Sequence, residues 1–434
     1  MIRRRRAQGP GQRGAVPCSW GKISVLPSRD PGSAMTAAVK MLDGVRVIDL
    51  TSVVFGPYST QILADYGADV VKVEVPEGDI MRYAGPAPER GMGPVFVNLN
   101  RGKRSIVLDI RKPDGKAALE ALIRGADLLV HNVRRKPMAR LGFSAQACAA
   151  MNPKLLYCAA TGFAEAHELA DAPAIDDVIQ CAVGLTGLNA DADGTPRLVP
   201  SLVADKVAGL ALASAMLAAL VRQRSTGQGG TVDVPMYETL ASFCLVEHLQ
   251  GATFAPDGAV GYTRVTREGR RIYRAKDGFV SMTPYSNDQW ARFFTAVGRP
   301  DMATDPRVTD PAVRGTRFHE LYDVIESVAH TRSVAQWIAL ARELSMPAMP
   351  VVSLADVAGD PQLERSGTTE TRAFEGIGTV KHLSSPGFFD GVAARHPTNA
   401  PRLGQHTREL LRESGYDDAG IDALLASGAA RTLA

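Results

Sequence analysis

Aspartates lie at the start of two predicted helices. A carboxylate at such a place can stabilise the helix or react with a ligand. Asp205 stands in the segment Leu202-Val-Ala-Asp-Lys206, directly before an apolar helix predicted over 207–224. An aspartate at such a place commonly caps the helix, because its side chain accepts a hydrogen bond from a first-turn N–H group. The same amides and the helix dipole also favour a reactive carboxylate, so Asp205 is a candidate nucleophile as well.

An acidic pair, Asp176 and Asp177, precedes another helical stretch at 178–181. Two neighbouring carboxylates at a helix start interact favourably with the helix dipole while they remain in water. The residue types alone therefore favour solvated loop charges, and a place near an active site stays open for this pair.

Basic side chains cluster in three stretches. The first two flank predicted strands and suit the phosphates of a small ligand better than a polymer, because no aromatic stripe interleaves the charges. The third lies in a stretch rich in Gly and Arg and is suited to binding a carboxylate substrate or to keeping a loop soluble. The members are Arg101, Lys103, Arg104, Arg111 and Lys112, then Arg134, Arg135, Lys136 and Arg140, then Arg264, Arg267, Arg270, Arg271 and Arg274.

Familiar catalytic and cofactor-binding motifs are missing from the sequence. It contains no HExxH zinc motif, no GxSxG nucleophile motif, no Walker phosphate loop and no Cys/His cluster. Their absence disfavours metal, hydrolase and P-loop chemistry. The loop at 51–57 also lacks the GxGxxG glycines that let a backbone approach a dinucleotide pyrophosphate. We therefore expect neither a metal site nor a nicotinamide cofactor.

The elements that must position these residues alternate between short strands and helices. Strands are predicted at 45–50, 70–74, 105–109, 127–131 and 155–159, with helices at 58–66, 115–123 and 145–151. Such alternation indicates an α/β fold with a parallel sheet covered on both faces.

The second half of the chain predicts further elements after the long apolar helix. They are a strand at 231–234, a helix at 238–250, a loop over 251–274, a strand at 279–283, helices at 287–297, 319–329 and 334–344, a return connection at 351–357 and a final helix at 402–414. The change of character after 250 predicts a second folded region.

Composition and charge are those of a globular protein. The chain has 434 residues, 45% hydrophobic and 22% charged, with a formal net charge of +3. Residues 1–34 hold seven basic side chains against one acidic one, so the remainder is slightly acidic, and we expect no nucleic-acid partner. No run of about 18 uncharged apolar residues predicts a membrane span. Five cysteines without a CxxC pair favour a reducing compartment, the cytoplasm.

A series of short motifs runs through the chain from residue 42 to about residue 415. They are Leu42-Asp-Gly-Val-Arg-Val-Ile-Asp-Leu50 with Gly56-Pro57, Leu63-Ala-Asp-Tyr-Gly-Ala-Asp-Val-Val-Lys-Val-Glu74, Asn100-Arg-Gly-Lys-Arg-Ser-Ile-Val-Leu-Asp109, Ala126-Asp-Leu-Leu-Val-His-Asn132, Arg140-Leu-Gly-Phe143, Thr226-Gly-Gln-Gly229 with Val232-Asp-Val234, and Pro401-Arg-Leu-Gly-Gln-His-Thr407. In this order they resemble the motifs of family III CoA-transferases, the group of formyl-CoA transferase, carnitine CoA-transferase and α-methylacyl-CoA racemase.

The resemblance implies an α/β fold with a Rossmann-like large domain built on a parallel sheet and a smaller α+β domain. Each chain would form an open ring threaded through its partner, giving an interlocked homodimer. The implied organisation is a disordered extension at 1–41, a large CoA-binding domain at 42–250 completed by 390–434, a linker and loop at 251–278, a small domain at 279–365, and a return linker with a C-terminal helix at 366–434.

By the same resemblance, Asp205 is the catalytic aspartate. It would attack a donor acyl-CoA thioester to give a mixed anhydride, and the released CoA would then form an aspartyl-CoA thioester. CoA would pass from this thioester to an acceptor carboxylate, so that CoA thioesters are substrates and no cofactor is bound permanently. Asp176 matches an acidic residue near the active site of formyl-CoA transferase and is a candidate for active-site support.

Four residues are candidate CoA contacts. Asn132 and Arg140 match CoA-contacting positions of the family, and Arg111 matches a basic residue near the CoA nucleotide. Arg104 joins them as a member of the same basic cluster as Arg111.

Three positions depart from the family pattern. Val54 and Pro173 stand where formyl-CoA transferase has a glutamine and a lysine, which disfavours formyl or oxalyl transfer. Ile175 stands where the racemase has a histidine, so one half of an acid–base pair is missing, and transfer is favoured over racemisation. His131 and His167 stay open as alternative bases.

The sequence therefore predicts a cytoplasmic, homodimeric CoA-transferase that acts on carboxylic acids, without a nucleic-acid or membrane partner. The arginines of 264–274 suggest a dicarboxylate such as succinate as donor. Two alternatives stay open. One is an acyl-CoA racemase or isomerase that uses Asp205 as an acid–base group, and the other is a CoA-binding protein without catalytic activity.

Overall fold

The computed structural model describes residues 40–266, 269–385 and 387–433, which belong to the unit Val39–Ala434. The predicted extension at 1–41 lies outside the described residues, except for Lys40 and Met41. Arg267 of the third basic cluster also lies outside them. A turn at 41–44 leads into the first strand.

A parallel sheet forms the centre of the described structure. Its strands are β1 (Arg46–Asp49), β2 (Asp69–Glu74), β3 (Arg104–Leu108), β4 (Leu128–His131), β5 (Leu156–Thr161) and β6 (Gly230–Pro235). They lie in the order β3-β2-β1-β4-β5-β6, and all neighbours in this order are parallel. The order reverses between β1 and β4, as in doubly wound α/β sheets. The predicted α/β class with a parallel sheet is therefore confirmed.

Helices follow most of these strands and cover the sheet. They are α1 (Phe55–Asp65), α2 (Pro94–Asn100), α3 (Pro113–Arg124), α4 (Arg135–Arg140), α5 (Ala145–Met151), α6 (Asp176–Ala182), α7 (Leu185–Leu188), α8 (Val203–Thr226) and α9 (Met236–His248). The sequence predicted α5 with these bounds, and it missed α2 and α4.

Alternate side chains of the central strands enter two separate hydrophobic layers. Val47 of β1 and Leu128 of β4 pack with α1, α8 and α9 in one layer. Ile48 and Leu129, the next residue of each strand, pack with α3 in the other. All four side chains are fully buried. Successive side chains of a strand point to opposite faces of the sheet. Both faces are buried here because helices cover the sheet on both sides.

The long helix α8 contributes much of the first layer. It is also the helix in the described ranges that is long and apolar enough to cross a membrane, judged by length and composition alone. The sequence predicted no membrane span. Its buried residues recur every four positions on one face and pack in the α/β core. They are Ala204, Ala208, Leu212, Met216 and Leu220.

A second hydrophobic core lies between residues 273 and 346, around Trp290, Phe293 and Trp337. Its strands form a small antiparallel sheet in the order β7-β8-β9. The elements are β7 (Tyr273–Arg274), β8 (Phe279–Met282), α10 (Asn287–Ala296), α11 (Pro306–Thr309), α12 (Pro311–Thr316), α13 (Phe318–Ala329), α14 (Val334–Glu343) and β9 (Ala348–Pro350). The domain boundaries at 250, 278 and 365 stay predictions.

The rest of the chain returns to the central sheet. It contains α15 (Leu354–Ala358), α16 (Pro361–Arg365), β10 (Thr369–Phe374), β11 (Gly378–Leu383), β12 (Phe388–Phe389), β13 (Val392–Ala393), α17 (Thr407–Glu413), α18 (Asp418–Ala426) and β14 (Ala430–Arg431). β14 pairs antiparallel with β3 and so extends the sheet at its edge. The predicted final helix at 402–414 is shorter, and the hairpins, α18 and β14 were not predicted.

One buried carboxylate, Asp65 at the end of α1, holds the return segment. It forms an ion pair with the buried Arg101. Its Oδ2 accepts hydrogen bonds from the Ser385 N–H group at 3.1 Å and the Ser385 hydroxyl at 2.6 Å, and its Oδ1 accepts from the His396 N–H group at 3.0 Å. The contacts with Ser385 and His396 join parts of the chain more than 300 residues apart and fix the return segment to the sheet region.

We expect Asp65→Asn to lower the free energy of unfolding by about 3 kcal/mol, because breaking a buried ion pair leaves the charge of Arg101 uncompensated. The control Asp301→Asn breaks an exposed ion pair with Arg299 (2.7 Å) and should change stability little. Urea unfolding at pH 7 measures both variants. Equal losses of stability in both variants would contradict the role of Asp65 in fixing the return segment.

Candidate active site

A cavity of about 280 Å³ lies at the carboxyl ends of β1 and β4, where the strand order reverses. Open α/β sheets bind ligands in the crevice at such a point, because the loops on either side leave the sheet in opposite directions. The loops after β1, β4 and β5 line this cavity, together with residues 170–175 and the first turn of α8.

Asp205 is the carboxylate of this cavity. α8 begins at Val203, so Asp205 lies in the first turn and not at the cap, and Leu202 occupies the cap position without a side-chain hydrogen bond. The capping interpretation is therefore wrong, because the helix starts earlier than the apolar pattern predicted. The Asp205 side chain is 7% exposed, and its carboxylate accepts no hydrogen bond from another described residue.

The pKa of Asp205 is raised from its ordinary value to about 6. Burial is the largest cause, since it disfavours the charged form, and the negative charges of Asp176 and then Asp177 add to it. A carboxylate with a raised pKa and no hydrogen-bond partner is a stronger nucleophile than one in water.

Asp176 is the first residue of α6 and lies beside Asp205. It is 4% exposed, so the expectation of a solvated loop charge is wrong for this residue. Its Oδ1 accepts the backbone N–H group of Asp205 at 3.1 Å, and its Oδ2 accepts from Gln180 Nε2 at 2.6 Å. Gln180 Oε1 in turn accepts the N–H group of Val199 at 2.9 Å. Asp176 and Gln180 therefore position the start of α8.

Asn132 lines the cavity from the end of β4. Its Oδ1 accepts the N–H group of Ser52 at 3.1 Å, and its Nδ2 donates to the Ser52 carbonyl at 2.8 Å. Asn132 thus fixes the loop after β1, which forms the facing wall. The structure places this predicted CoA-contacting residue at the cavity, next to the loop that it holds.

The three predicted arginine contacts lie outside the cavity lining. Arg140 ends α4, is exposed, and its side chain has no polar partner among the described residues. Arg111 follows β3 and pairs with Asp109 at 2.8 Å, with most of its side chain in solvent. Both are accessible to a ligand that extends beyond the cavity.

Arg104 lies at the edge of the sheet opposite to the cavity. It begins β3, at the amino edge of the sheet, and pairs with Asp69, Glu409 and Glu413 at 2.6 to 2.8 Å. The carboxyl edge, where Asp205 lies, is at the other end of the strands. The structure does not bring Arg104 to the cavity, because three carboxylates hold it in a structural ion-pair network.

The other basic clusters also make contacts within the chain. Arg135 pairs with Asp233, and Lys136 with Asp171. Arg264 stacks on the Phe318 ring at 4.1 Å, and Arg271 pairs with Asp323 at 2.9 Å. Arg264 and Arg271 therefore contact the second region, and the dicarboxylate donor stays a prediction.

The alternative bases also lie outside the cavity lining. His131 is 1% exposed, its Nδ1 lies 3.0 Å from the Val133 carbonyl, and burial lowers its pKa to about 4. His167 packs between the rings of Phe163 and Tyr237. Ile175, at the position of the racemase histidine, does line the cavity.

Sequence reasoning missed several residues that shape this site. Ser52 and Val53 of the loop after β1, Phe55 at the start of α1 and Met236 of α9 all line the cavity. The loop lacks the GxGxxG glycines, but its place after the first strand of an α/β sheet is a sequence signal for a ligand-binding loop. In residues 40–266, 269–385 and 387–433, no group of three His, Cys, Asp or Glu side chains could hold a metal ion.

Comparisons with known proteins identify the family. The model of CoA-transferase family III matches residues 42–407. The chain is 30% identical to a formyl-CoA:oxalate CoA-transferase from Bradyrhizobium sp. (strain ORS 278), covering 90% of this chain and 97% of that protein. It is 28% identical to a succinate–glutarate CoA-transferase from Agrobacterium fabrum, covering 86% of this chain and 95% of that protein.

Two solved structures are similar to this chain over most of its length. Rv3272 from Mycobacterium tuberculosis superposes with a TM-score of 0.74 and 26% identity, over 86% of this chain and 99% of that one. A CAIB/BAIF family protein from Brucella suis superposes with a TM-score of 0.71 and 27% identity, over 86% and 98%.

We expect Asp205→Asn to stabilise the protein at pH 7. A carboxylate whose pKa is raised to about 6 by folding binds its proton more tightly in the folded state, so wild-type stability falls as pH rises from about 4 to 6. Asparagine cannot ionise, and the gain should be about 2 kcal/mol at pH 7 and vanish near pH 4.

Urea unfolding at both pH values measures this difference. Asp177→Asn, at an exposed carboxylate of the same cluster, is the control and should give a smaller gain. A difference between wild type and Asp205→Asn that does not change with pH would contradict a raised pKa.

Proposed function

The chain belongs to CoA-transferase family III, and we propose that it moves CoA from an acyl-CoA to a carboxylic acid through covalent intermediates on Asp205. The supporting observation is the isolation of Asp205. It is the carboxylate of a cavity at the switch point of the sheet, buried and without a hydrogen-bond donor among the described residues.

The proposed first half-reaction exchanges the acyl group for CoA. An Asp205 oxygen attacks the thioester carbonyl, the C–S bond breaks, and a mixed anhydride and CoA thiolate form. The thiolate then attacks the Asp205 carbonyl carbon and releases the donor as its carboxylate. Asp205 is left as an aspartyl-CoA thioester, and no proton or electron is lost or gained.

The second half-reaction reverses these steps with another acid. The acceptor carboxylate attacks the Asp205 thioester carbonyl, which gives a new mixed anhydride and CoA thiolate. Attack of the thiolate on the acceptor carbonyl forms the new acyl-CoA and frees Asp205. The family's CoA thioesters serve as substrates throughout, and this cycle requires no resident cofactor.

The surroundings of Asp205 suit both roles that the cycle demands. Burial removes water that would weaken the nucleophile and would hydrolyse the anhydride or the thioester. Burial, and then the charge of Asp176, raises the pKa of Asp205 to about 6, so that the carboxylate is basic enough to attack and still ionised at neutral pH. The hydrogen bond from the Asp205 N–H group to Asp176 keeps the first turn of α8 in place.

Arg140 and Arg111 are the proposed contacts for the CoA phosphates. Both are exposed at the surface outside the cavity, and guanidinium groups bind phosphate oxygens in a bidentate manner. Asn132 borders the cavity and would face the pantetheine arm. The relatives act on succinate and glutarate or on formyl-CoA and oxalate, which supports small carboxylic acids as the substrate class.

The proposed assembly is an interlocked homodimer of ring-like chains in the cytoplasm. Apolar side chains on α8 and α9 remain exposed in the single chain, among them Leu210 (44%), Phe243 (56%) and Val246 (83%). Large apolar side chains that remain in solvent on two neighbouring helices are typical of an interface between subunits. A second copy of this chain is the proposed partner.

Sedimentation equilibrium tests the assembly. We expect a mass of about 92 kDa, twice the 46.2 kDa of one chain, and no change on dilution to nanomolar concentration, since threaded chains cannot separate without unfolding. A mass near that of one chain would contradict the homodimer.

Trapping tests the covalent mechanism. The protein is incubated with a panel of acyl-CoAs, quenched with hydroxylamine and mapped by peptide mass spectrometry. We expect a hydroxamate at Asp205, and loss of CoA transfer by at least about a thousandfold in Asp205→Asn. Asp301→Asn, in the second region, should keep wild-type transfer.

Two outcomes would favour the alternatives. Exchange of solvent deuterium at Cα of an acyl-CoA, without CoA transfer, would indicate a racemase or isomerase. Tight CoA binding that persists in Asp205→Asn, without turnover of any acid pair, would indicate a CoA-binding protein without catalytic activity.

A further inference from the structure

The loop after β1 contains a residue in an unfavourable backbone conformation. Val53 has a φ of 72°, in the left-handed region that β-branched residues rarely adopt because the side chain meets the backbone. It lines the cavity with Asp205 and is 39% exposed. Residues held in this way persist only when their surroundings fix them, and they concentrate at functional sites.

We propose that Asp79 is a positioning residue for the transfer reaction, which acts with Lys72 to hold Val53 in its left-handed conformation opposite Asp205. The inference rests on the proposed role of Asp205 as nucleophile. It adds a function for two charged residues that lie outside the cavity lining.

Hydrogen bonds from one buried ion pair reach both sides of the loop. Asp79 Oδ1 accepts the N–H group of Val53 at 3.3 Å, and Asp79 Oδ2 lies 3.0 Å from Lys72 Nζ. Lys72 Nζ also donates to the Thr51 carbonyl at 2.9 Å. Both side chains are almost completely buried. Because Asn132 holds Ser52 from β4, three consecutive residues are fixed by side chains of other elements.

The conformation of Val53 determines where the next amides point. Val54 and Phe55 follow directly, at the start of α1, and neither N–H group donates a hydrogen bond to another described residue. Phe55 lines the same cavity as the unpartnered carboxylate of Asp205. When Asp205 attacks a substrate carbonyl, the carbonyl oxygen gains negative charge, and the N–H group of Phe55, a residue of the cavity lining, can stabilise that charge. A loop that relaxed at Val53 would move this donor.

A rescue experiment tests this role. In Asp79→Asn, the amide oxygen turns to Lys72 and the amide N–H₂ faces the N–H group of Val53, so the acceptor is lost. We expect kcat to fall about tenfold or more, with KM for acyl-CoA changed by less than about threefold. In the background V53G, glycine adopts the left-handed conformation freely, and D79N should lower kcat by no more than about threefold.

Two controls make the comparison specific. D65N removes an equally buried carboxylate at the other end of α1, and V53G should not change its effect on kcat. V53A shortens the side chain as V53G does but keeps a Cβ, so D79N should still lower kcat about tenfold in this background. Equal losses from D79N in the wild-type and V53G backgrounds would overturn the proposal.

A comparison of unfolding temperatures tests the conformation of Val53 without a measurement of transfer activity and without the D79N variant. If Val53 is held against its preference, V53G should unfold at a higher temperature than V53A, although glycine normally destabilises relative to alanine. A higher unfolding temperature for V53A would overturn the proposal. Wild-type protein without transfer activity would instead count against the proposed function and would leave this stability difference intact.

Discussion

The structure depends on charges that are paired where water cannot reach them, beneath the loop after β1. Lys103 Nζ lies 3.0 Å from Asp49 Oδ2, and the side chains of both residues are fully buried, like those of the pair of Lys72 and Asp79. Burial opposes the ionisation of Asp49, but the two lysines lower its pKa to about 2. Such pairs add little net stability, because the loss of hydration offsets their attraction. They provide fixed positions for backbone groups that would otherwise move, and the cavity wall is built on those positions.

Neighbouring charges shift the pKa of Asp205 in the opposite direction. Asp49 has cationic partners and a lowered pKa, whereas Asp205 has an anionic neighbour, Asp176, and a raised one. Both carboxylates are buried, so their charged neighbours decide which pKa is lowered and which is raised. The fold therefore contains one set of paired, buried charges and one buried carboxylate, Asp205, that has no cationic partner among the described residues. The folded state bears the cost of the unpaired carboxylate, and this is a common relation between activity and stability.

Features that depend on neighbouring residues could be predicted from the sequence. Features that depend on contacts between residues far apart in the chain could not. Alternating strands and helices predicted the parallel sheet, since the period of burial is written in neighbouring residues. The start of α8 was placed too late, because Asp205 resembles a cap and Leu202 does not. The burial of Asp176 depends on α8, which follows it in the chain, and Arg104 is held by Glu409 and Glu413 from the far end. No local pattern predicts contacts of this kind. The motifs of the resemblance nevertheless identified Asp205 and Asn132, both of which line the cavity.

The antiparallel strand β14 has a consequence for how the protein is made. It pairs with β3 across more than 300 residues, and the Asp109 N–H group donates to the Ala429 carbonyl at 2.8 Å. During synthesis, the edge of β3 stays unpaired until residue 431 has left the ribosome. An exposed strand edge invites pairing with other chains, and long-range pairing is slow. The nascent chain therefore carries an open sheet edge for most of its translation, and only its last residues close that edge.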